Sequence, residues 1–469
     1  MSLLKSTLFS VLVLIYVQGF SQRTTTPVKH EFSAKQCVEY AEKNNAVVKN
    51  ALIDIKLQEQ QNRGITASAY PQINGNFNGQ YNPNITVQTF PNFIAQATYG
   101  VLENEGVKNG SGQPITSPSD FGFIQAAFGS KWTASAGATL SQILFDGQVF
   151  VGLKARTTAI DYREQSAELT KEQIRTNIYK IYYQLSVSNV QIQLIDANIA
   201  RADKLLNDSR ALYKNGFAES LDVDRASVQL TNFQAQKQTT LNNISNGYLG
   251  LKVLMGMPAN DTLILTDSVT VESIQQQALT DGIYKYEDRP DYRVLSLSGK
   301  LQEYNVRRYK AIKLPTASLN AGYSKLSQGN YFNSFTNSPW FSSSYIGVSV
   351  NVPIFSGFLK NANIKQAQLE LEQTNNTIEY LKLQIDQDVD SSVNSFNSAI
   401  TNLNNQKKNV DLASRVYDLT KKKYESGLAS TTDISNAQAD LTVAQTSYIV
   451  SLYNAVLAKI DYLKAIGKL

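Results

Sequence analysis

One cysteine and one histidine are all that 469 residues offer, and each scarcity removes a class of function. Cys37 has no partner for a disulfide within the chain. With His30 it falls short of a structural zinc set, which takes about four ligands, and Ser-His or Cys-His catalysis is equally unsupported. No phosphate loop or nucleophile elbow is present, so an enzyme is the last reading to adopt. Past residue 21 there is no apolar run of about 18 residues, the length a membrane-spanning helix needs. A membrane role would then fall to β-strands. The net charge of +5 is spread along the chain with no basic block, a solvated surface rather than a nucleic-acid footprint. Proline is absent from residues 148–213 and 358–424.

What is present begins with a targeting pattern. Residues 1–21 read as a cleavable signal peptide. Lys5 supplies the positive charge, Leu8 to Val17 the short apolar stretch, and Gly19-Phe20-Ser21 the cleavage site, with the cut before Gln22. The polar stretch Arg23 to Lys29, with Pro27, disfavours a core helix. Cys37 lies too far past the cut to accept a lipid. The mature chain is expected to leave the cytoplasm.

The clearest internal signal is a duplication. Tyr213-Lys-Asn-Gly216-Phe217-Ala218 aligns with Tyr424-Glu-Ser-Gly427-Leu428-Ala429 at an offset of 211. The same offset pairs Asp222 with Asp433, Ala226 with Ala437, Leu230 with Leu441 and Gly256 with Gly467. Upstream, Phe145-Asp146-Gly147 matches Phe355-Ser356-Gly357 at offset 210, and Leu57-Gln58-Glu59 with Pro71 matches Leu301-Gln302-Glu303 with Pro315 at offset 244. The first copy therefore carries an insertion between Pro71 and Phe145. Each copy is expected to read helix, strand, loop, strand, very long helix, tight turn, long helix. The opening helices are placed at Cys37 to Ala69 and Arg289 to Lys313, each ended by the following proline.

Four segments alternate with period two. Ile73, Phe77 and Tyr81 oppose Asn74, Asn76, Asn78 and Gln80. Trp132, Ala134, Ala136, Ala138 and Leu140 oppose Thr133, Ser135, Gly137, Thr139 and Ser141. Leu319, Ala321 and Tyr323 oppose Ser318, Asn320, Gly322 and Ser324, and Ile346, Val348, Val350 and Val352 oppose Gly347, Ser349 and Asn351. Each strand alone also fits a sandwich. Four strands cannot close a barrel, which takes about eight, but they can supply part of one shared between subunits. The connection Pro83 to Ser130 reads as a long loop. Ser327 to Ser343 carries Tyr331, Phe332, Phe335, Trp340 and Phe341, either an interfacial girdle or a loop packed by its own rings.

The proline-free segments predict helices of roughly 100 Å each at 1.5 Å per residue. Leu185, Ile192, Ile199, Leu206 and Tyr213 are spaced by seven, as are Phe396, Leu403, Val410, Tyr417 and Tyr424, the coiled-coil repeat. The stripe is narrow and interrupted by Asn, Gln and Ser, as in helices with solvent on two sides. Gly216 and Gly427 sit where the chain must reverse, and Ser430-Thr-Thr-Asp433 reads as a capping box. Met257 to Asp288 breaks the pattern, with a short strand at Thr262 to Thr266 and a short helix at Ser273 to Ala278. The expected division is residues 22–256 as first copy (strands 72–82 and 131–145, helical hairpin 148–256), 257–288 as an equatorial linker, and 289–469 as second copy (strands 316–325 and 344–355, hairpin 358–467).

Taken as a set, these residues resemble the TolC family of outer-membrane efflux proteins. The most specific pieces are the two turns, each followed by an aspartate (Leu221-Asp222-Val223, Thr432-Asp433-Ile434), then Gln36 to Asn45 and Tyr70-Pro71-Gln72-Ile73. The resemblance implies a mixed α and β membrane protein. Three chains would form a 12-stranded barrel in the outer-membrane lipid, four strands from each, continued by a periplasmic α-helical coiled-coil barrel. It implies a homotrimer that docks a periplasmic adaptor at Tyr213, Gly216, Phe217, Tyr424, Gly427 and Leu428 and receives substrate from an inner-membrane pump, with no cofactor and no nucleic acid. It places the aperture acid at Asp433. Where the family often has a second acid, this chain has Asn436, and where it can carry a closing arginine, Ala429. Asp222, Asp224 and Arg225 offer an alternative tether. Asp433 and Asp222 also suit plain helix N-terminal acids favoured by the macrodipole. The competing reading from another class is a periplasmic coiled-coil structural or adaptor protein.

Overall fold

The computed structural model describes residues 28–271, 274 and 284–469. The signal-peptide segment 1–21 lies outside them, as does all of the short helix expected at 273–278 except Ile274, which is helical. The chain divides into two compact units. One comprises residues up to 59, 157–302 and 370–469; the other comprises 60–156 and 303–369.

Chain order begins with β1 (Lys29–Phe32), α1 (Ala34–Asn44), α2 (Ala46–Ala67), β2 (Gln72–Tyr81), β3 (Val87–Pro91), α3 (Phe93–Asn104), β4 (Phe123–Ala127) and β5 (Trp132–Phe145). The first helical hairpin follows, α4 (Gly147–Lys214) and α5 (Ser220–Met255), then β6 (Thr262–Leu265), α6 (Pro290–Ala311), β7 (Thr316–Gly329) and β8 (Phe341–Asn351). The second hairpin is α7 (Leu359–Glu425) and α8 (Thr431–Ala465). The proline-free stretches become helices of 68 and 67 residues.

In the first unit, β1 pairs in parallel with β6, Lys29 opposite Thr262 through Phe32 opposite Leu265. The pairing is pinned by side chains. Val28 N–H donates to Asp261 Oδ1 (3.2 Å) and Ala34 N–H to Asp267 Oδ2 (2.9 Å), while the Tyr182 hydroxyl donates to Phe32 O and accepts from Asp267 N–H. Beneath it Cys37, Val48, Ile178, Tyr182, Leu185, Leu251 and Met255 form a closed apolar core. Burial pushes the Cys37 thiol up to about 12, aided by the Asp267 carboxylate, so it is a packing residue.

The opening helix expected at Cys37 to Ala69 is two helices. Asn45 is extended (ψ 129°) and buried. Its Oδ1 accepts from Val47 N–H (2.7 Å) and Val48 N–H (3.2 Å), capping α2, while its Nδ2 donates to Leu254 O (2.6 Å) in the last turn of α5. One side chain satisfies donors at one helix start and an orphan carbonyl at another helix end.

Helix packing continues in two further clusters of this unit. Val187, Phe396, Leu403, Leu452, Ala455 and Val456 form one. Leu205, Leu206, Ala226, Tyr417, Ile434 and Leu441 form the other, near the helix turns. The expected heptad positions Leu185, Leu206, Phe396, Leu403 and Tyr417 are buried, whereas Tyr213 is exposed.

The second unit holds a four-stranded antiparallel sheet in the order β2-β5-β7-β8. Pro353 donates no ladder hydrogen bond, and β8 ends at Asn351, short of the expected residue 355. At its other end β8 reaches back to Phe341, opposite Leu326, and β7 runs on to Gly329 opposite Trp132. The connection 83–130 is not a plain loop. It contains the antiparallel pair β3–β4 and the 12-residue helix α3. Phe90 packs on Phe128 at 5.1 Å and Tyr99 on Phe121 at 5.8 Å, ring contacts that tie the insertion together although none of its residues is buried.

Candidate functional site

Antiparallel pairing puts directly opposed residues on the same face, so the register sorts the sheet. Ile73 lies opposite Leu140, Leu140 opposite Ala321, and Ala321 opposite Ile346. Phe77 faces Ala136, Leu319 faces Val348 and Ala317 faces Val350. The four separate apolar stripes thus merge into one surface. On the other face Asn74 meets Thr139, Asn78 meets Ser135, and Asn320 meets Ser141 and Gly347. That face carries amides and hydroxyls and no charged side chain from Gln72 to Gln80, Thr133 to Ser141, Ser318 to Gln328 or Ser343 to Asn351.

The apolar face is bare. Ile346 is 77% exposed, Phe77 76% and Val350 62%. A water-facing sheet would not keep so continuous an apolar patch uncovered. The 11 residues of β8 span about 34 Å, and a tilt near 40° reduces that to roughly 26 Å, the height of an outer-membrane apolar band. Among the described residues, neither edge, β2 nor β8, has a further partner strand. Among the described residues no helix is long and apolar enough to cross a membrane.

One end of the sheet is marked by aromatic rings. Tyr81 stacks near Trp132 at 4.4 Å. Phe332 and Phe335 pack edge-on against Trp132 and each other at 5.1–5.8 Å, and Trp340 Nε1–H donates to Phe335 O. The loop before β8 is therefore held by its own rings, the second of the two sequence readings, while Tyr331 and Phe341 stay exposed.

The two helix turns are built alike. Gly216 (φ 77°) and Gly427 (φ 75°) take the left-handed conformation. Phe217 N–H donates to Leu212 O (2.9 Å) and Leu428 N–H to Lys423 O (2.8 Å), the 6→1 bonds of a Schellman turn. This geometry thrusts Phe217 and Leu428 outward, 82% and 78% exposed. Tyr213 is exposed, whereas the Tyr424 hydroxyl is buried without a hydrogen-bond partner.

The expected capping box is formed. Asp433 N–H donates to Ser430 Oγ (3.1 Å), and Ser430 N–H and Oγ–H donate to Asp433 Oδ2 (2.8 and 2.7 Å). The Ser430 backbone bond, then its hydroxyl, hold the Asp433 carboxyl below the usual carboxylate range. Asp222 occupies the matching cap more loosely, accepting from Glu219 N–H at 3.4 Å. Asn436, one turn on, is exposed. Arg225 does not bond the neighbouring aspartates. Its Nη1–H donates across to Thr432 Oγ1 on the other turn (3.0 Å), joining the two hairpins. Sequence reasoning missed Thr432 as the acceptor because only the tertiary pairing of α5 with α8 brings it near. It also missed a buried amide pair, Asn198 Nδ2–H to Gln445 Oε1 (3.0 Å), visible in the sequence only as interruptions of the apolar stripe.

Comparison with known proteins agrees with this geometry. The family model described as outer membrane efflux protein matches residues 286–468. The chain is 20% identical over 337 residues to the outer membrane protein TolC of Vibrio cholerae, covering 71% of this chain and 77% of that protein. It is 21% identical over 435 residues to the outer membrane efflux protein BepC of Brucella suis, covering 92% and 84%. The crystal structure of CusC, studied for its folding and transmembrane channel formation, shares the fold with a TM-score of 0.73 at 16% identity, covering 95% of each chain. The family match and these outer-membrane relatives support an outer-membrane efflux channel, and the two-faced, open-edged sheet is consistent with it. Residues 286–468 match the outer membrane efflux family, a family of channels rather than enzymes, and the chain is similar to TolC-family proteins over most of its length.

Proposed function

We propose that three copies assemble into the passive exit duct of a tripartite efflux or type I secretion system, with an inner-membrane pump and a periplasmic adaptor as partners. The sheet carries this reading: a bare apolar face, an uncharged polar face and two unpaired edges. β2 of one copy pairing with β8 of the next removes every edge, and three four-stranded sheets give 12 strands, an even number typical of such barrels. The polar face then lines the lumen and the apolar face meets lipid. In the helical unit, the exposed Phe217 and Leu428, with Tyr213, Gly216, Tyr424 and Gly427, offer the adaptor an apolar knob at each turn. Asp433 and Asn436, with Asp222 and Arg225, line the aperture. An acid already ionised by its cap forms a negative ring on a threefold axis, and the Arg225–Thr432 bond stands where an arginine at position 429 is missing.

The test is planar-bilayer conductance of the detergent-extracted protein. Discrete cation-preferring steps, with the preference reduced by Asp433→Ala, are expected. Unchanged selectivity sinks the ring assignment. Failure to insert, with solubility in the absence of detergent, favours a periplasmic coiled-coil protein instead.

A further inference from the structure

The insertion between β2 and β5 carries a surface that the duct reading leaves unexplained. Helix α3 contains no charged residue from Phe93 to Leu102. One side, Ala95, Tyr99 and Leu102, is half-buried, with Tyr99 packed on Phe121. On its other side Phe93, Ile94 and Val101 are 55%, 59% and 62% exposed. Lipid tails do not account for this stripe. The ladder ends at the pair Tyr81–Trp132, rings that in the proposed duct mark the membrane–water boundary, and the insertion begins only beyond them. Its own turn, with Lys108, Asn109, Ser111, Gln113 and Asp120, is polar and exposed. The stripe therefore stands on the water side, where an uncovered apolar patch signals a protein contact.

The occupant follows from the sheet edges. The insertion leaves the outer end of β2, an unpaired edge, and β8 forms the opposite edge. The loop feeding β8 exposes Tyr331 and Phe332 at 76% and 68%. A head-to-tail ring that joins β2 of one copy to β8 of the next also brings these two surfaces together, three times over. We infer that the Phe93, Ile94 and Val101 stripe of α3 docks on the Tyr331–Phe332 loop of the neighbouring copy, interlocking the trimer at its outer rim. The inference rests on the proposed trimeric duct.

The experiment is cross-linking of the full-length, detergent-extracted double variant Val101→Cys/Tyr331→Cys with a short bis-maleimide, alongside each single variant. Cys37 is buried and supplies the background control. Expected are dimer and trimer bands on a denaturing gel for the double variant and neither for the singles. The variant Phe93→Ser/Ile94→Ser should also dissociate from trimer to monomer at a lower temperature than the parent. Light scattering of the unmodified protein separates the failures. A trimeric mass with no cross-linked bands and no loss of trimer stability overturns the interlock and leaves the duct. A monomeric mass overturns both.

Discussion

Replacing Ile346 with lysine tests which face of the sheet meets lipid. Ile346 is the sixth of the 11 residues of β8, so it sits at mid-depth of any band the strand spans. Its side chain is already 77% exposed, and its removal leaves no cavity. The whole penalty of Ile346→Lys then comes from the surroundings. In water it is near zero. At a bilayer midplane a lysine costs about 2–4 kcal/mol, or roughly 6–12 kcal/mol for three copies. Ser349→Lys on the same strand is the matched control. Ser349 lies on the opposite face and gives up only an exposed bond from Asn320 Nδ2 (3.2 Å). The assay is refolding into lipid vesicles across a urea series, scored as the fraction that resists unfolding in cold detergent. Ile346→Lys should lower the midpoint strongly, while Ser349→Lys folds like the parent and moves ion preference toward anions. Equal midpoints for the two variants would refute the lipid assignment of the Ile73–Leu140–Ala321–Ile346 face.

Asn45→Ala should cost about 2–4 kcal/mol, the sum of a lost N-cap and an orphaned Leu254 carbonyl, and hydrogen exchange at Val47 and Val48 should quicken; Asn45→Asp, which keeps the cap acceptor but loses the donor, should recover only part of this. Gly256→Ala should destabilise more than Gly427→Ala. Both glycines have left-handed φ, worth about 1–2 kcal/mol to a non-glycine. A Cβ at Gly256 would also lie 2.6 Å from Asn44 O, whereas Gly427 faces open space. Equal losses in thermal melts would contradict that difference. Asp433 sets a pH window. Its native pKa is lowered, so its contribution to the cap is complete above the unfolded value near 3.9 and is lost only as pH falls through the lower native value. The cation preference measured by reversal potential should therefore persist at pH 4, where an ordinary aspartate is about half protonated.

The readable parts of this chain are those set by local rules. A glycine in the left-handed region and a serine three residues before an aspartate need only their neighbours, so Gly216, Gly427 and the Ser430–Asp433 cap were legible in the sequence. So were the faces of the strands, because alternation with period two survives whichever strand is the partner. The misread parts depend on distant residues. Nothing in Lys29–Phe32 announces a strand. It becomes one because Thr262–Leu265 lies alongside and because Asp261 and Asp267 take up flanking N–H groups. The break at Asn45 is similar, since an asparagine within a helical pattern is tolerable until a carbonyl from α5 claims its amide.

The tips show how one physical cause can leave two roles entangled. The cap hydrogen bonds that fix Asp433 at the start of α8 also favour its charged form, so a helix terminus and the proposed cation-selective aperture would draw on the same geometry. What separates them is symmetry. A cap acts within one chain and is indifferent to its neighbours, whereas a ring exists only when three copies bring their carboxylates to a common axis. Arg225 offers the same contrast from the other hairpin. Its bond to Thr432 ties two turns within one copy, so in the proposed trimer it would act on the aperture by holding α5 and α8 together rather than by pairing with an acid of another copy. The hydroxyl it grips is neutral and exposed, so this tie is weaker than a buried salt bridge.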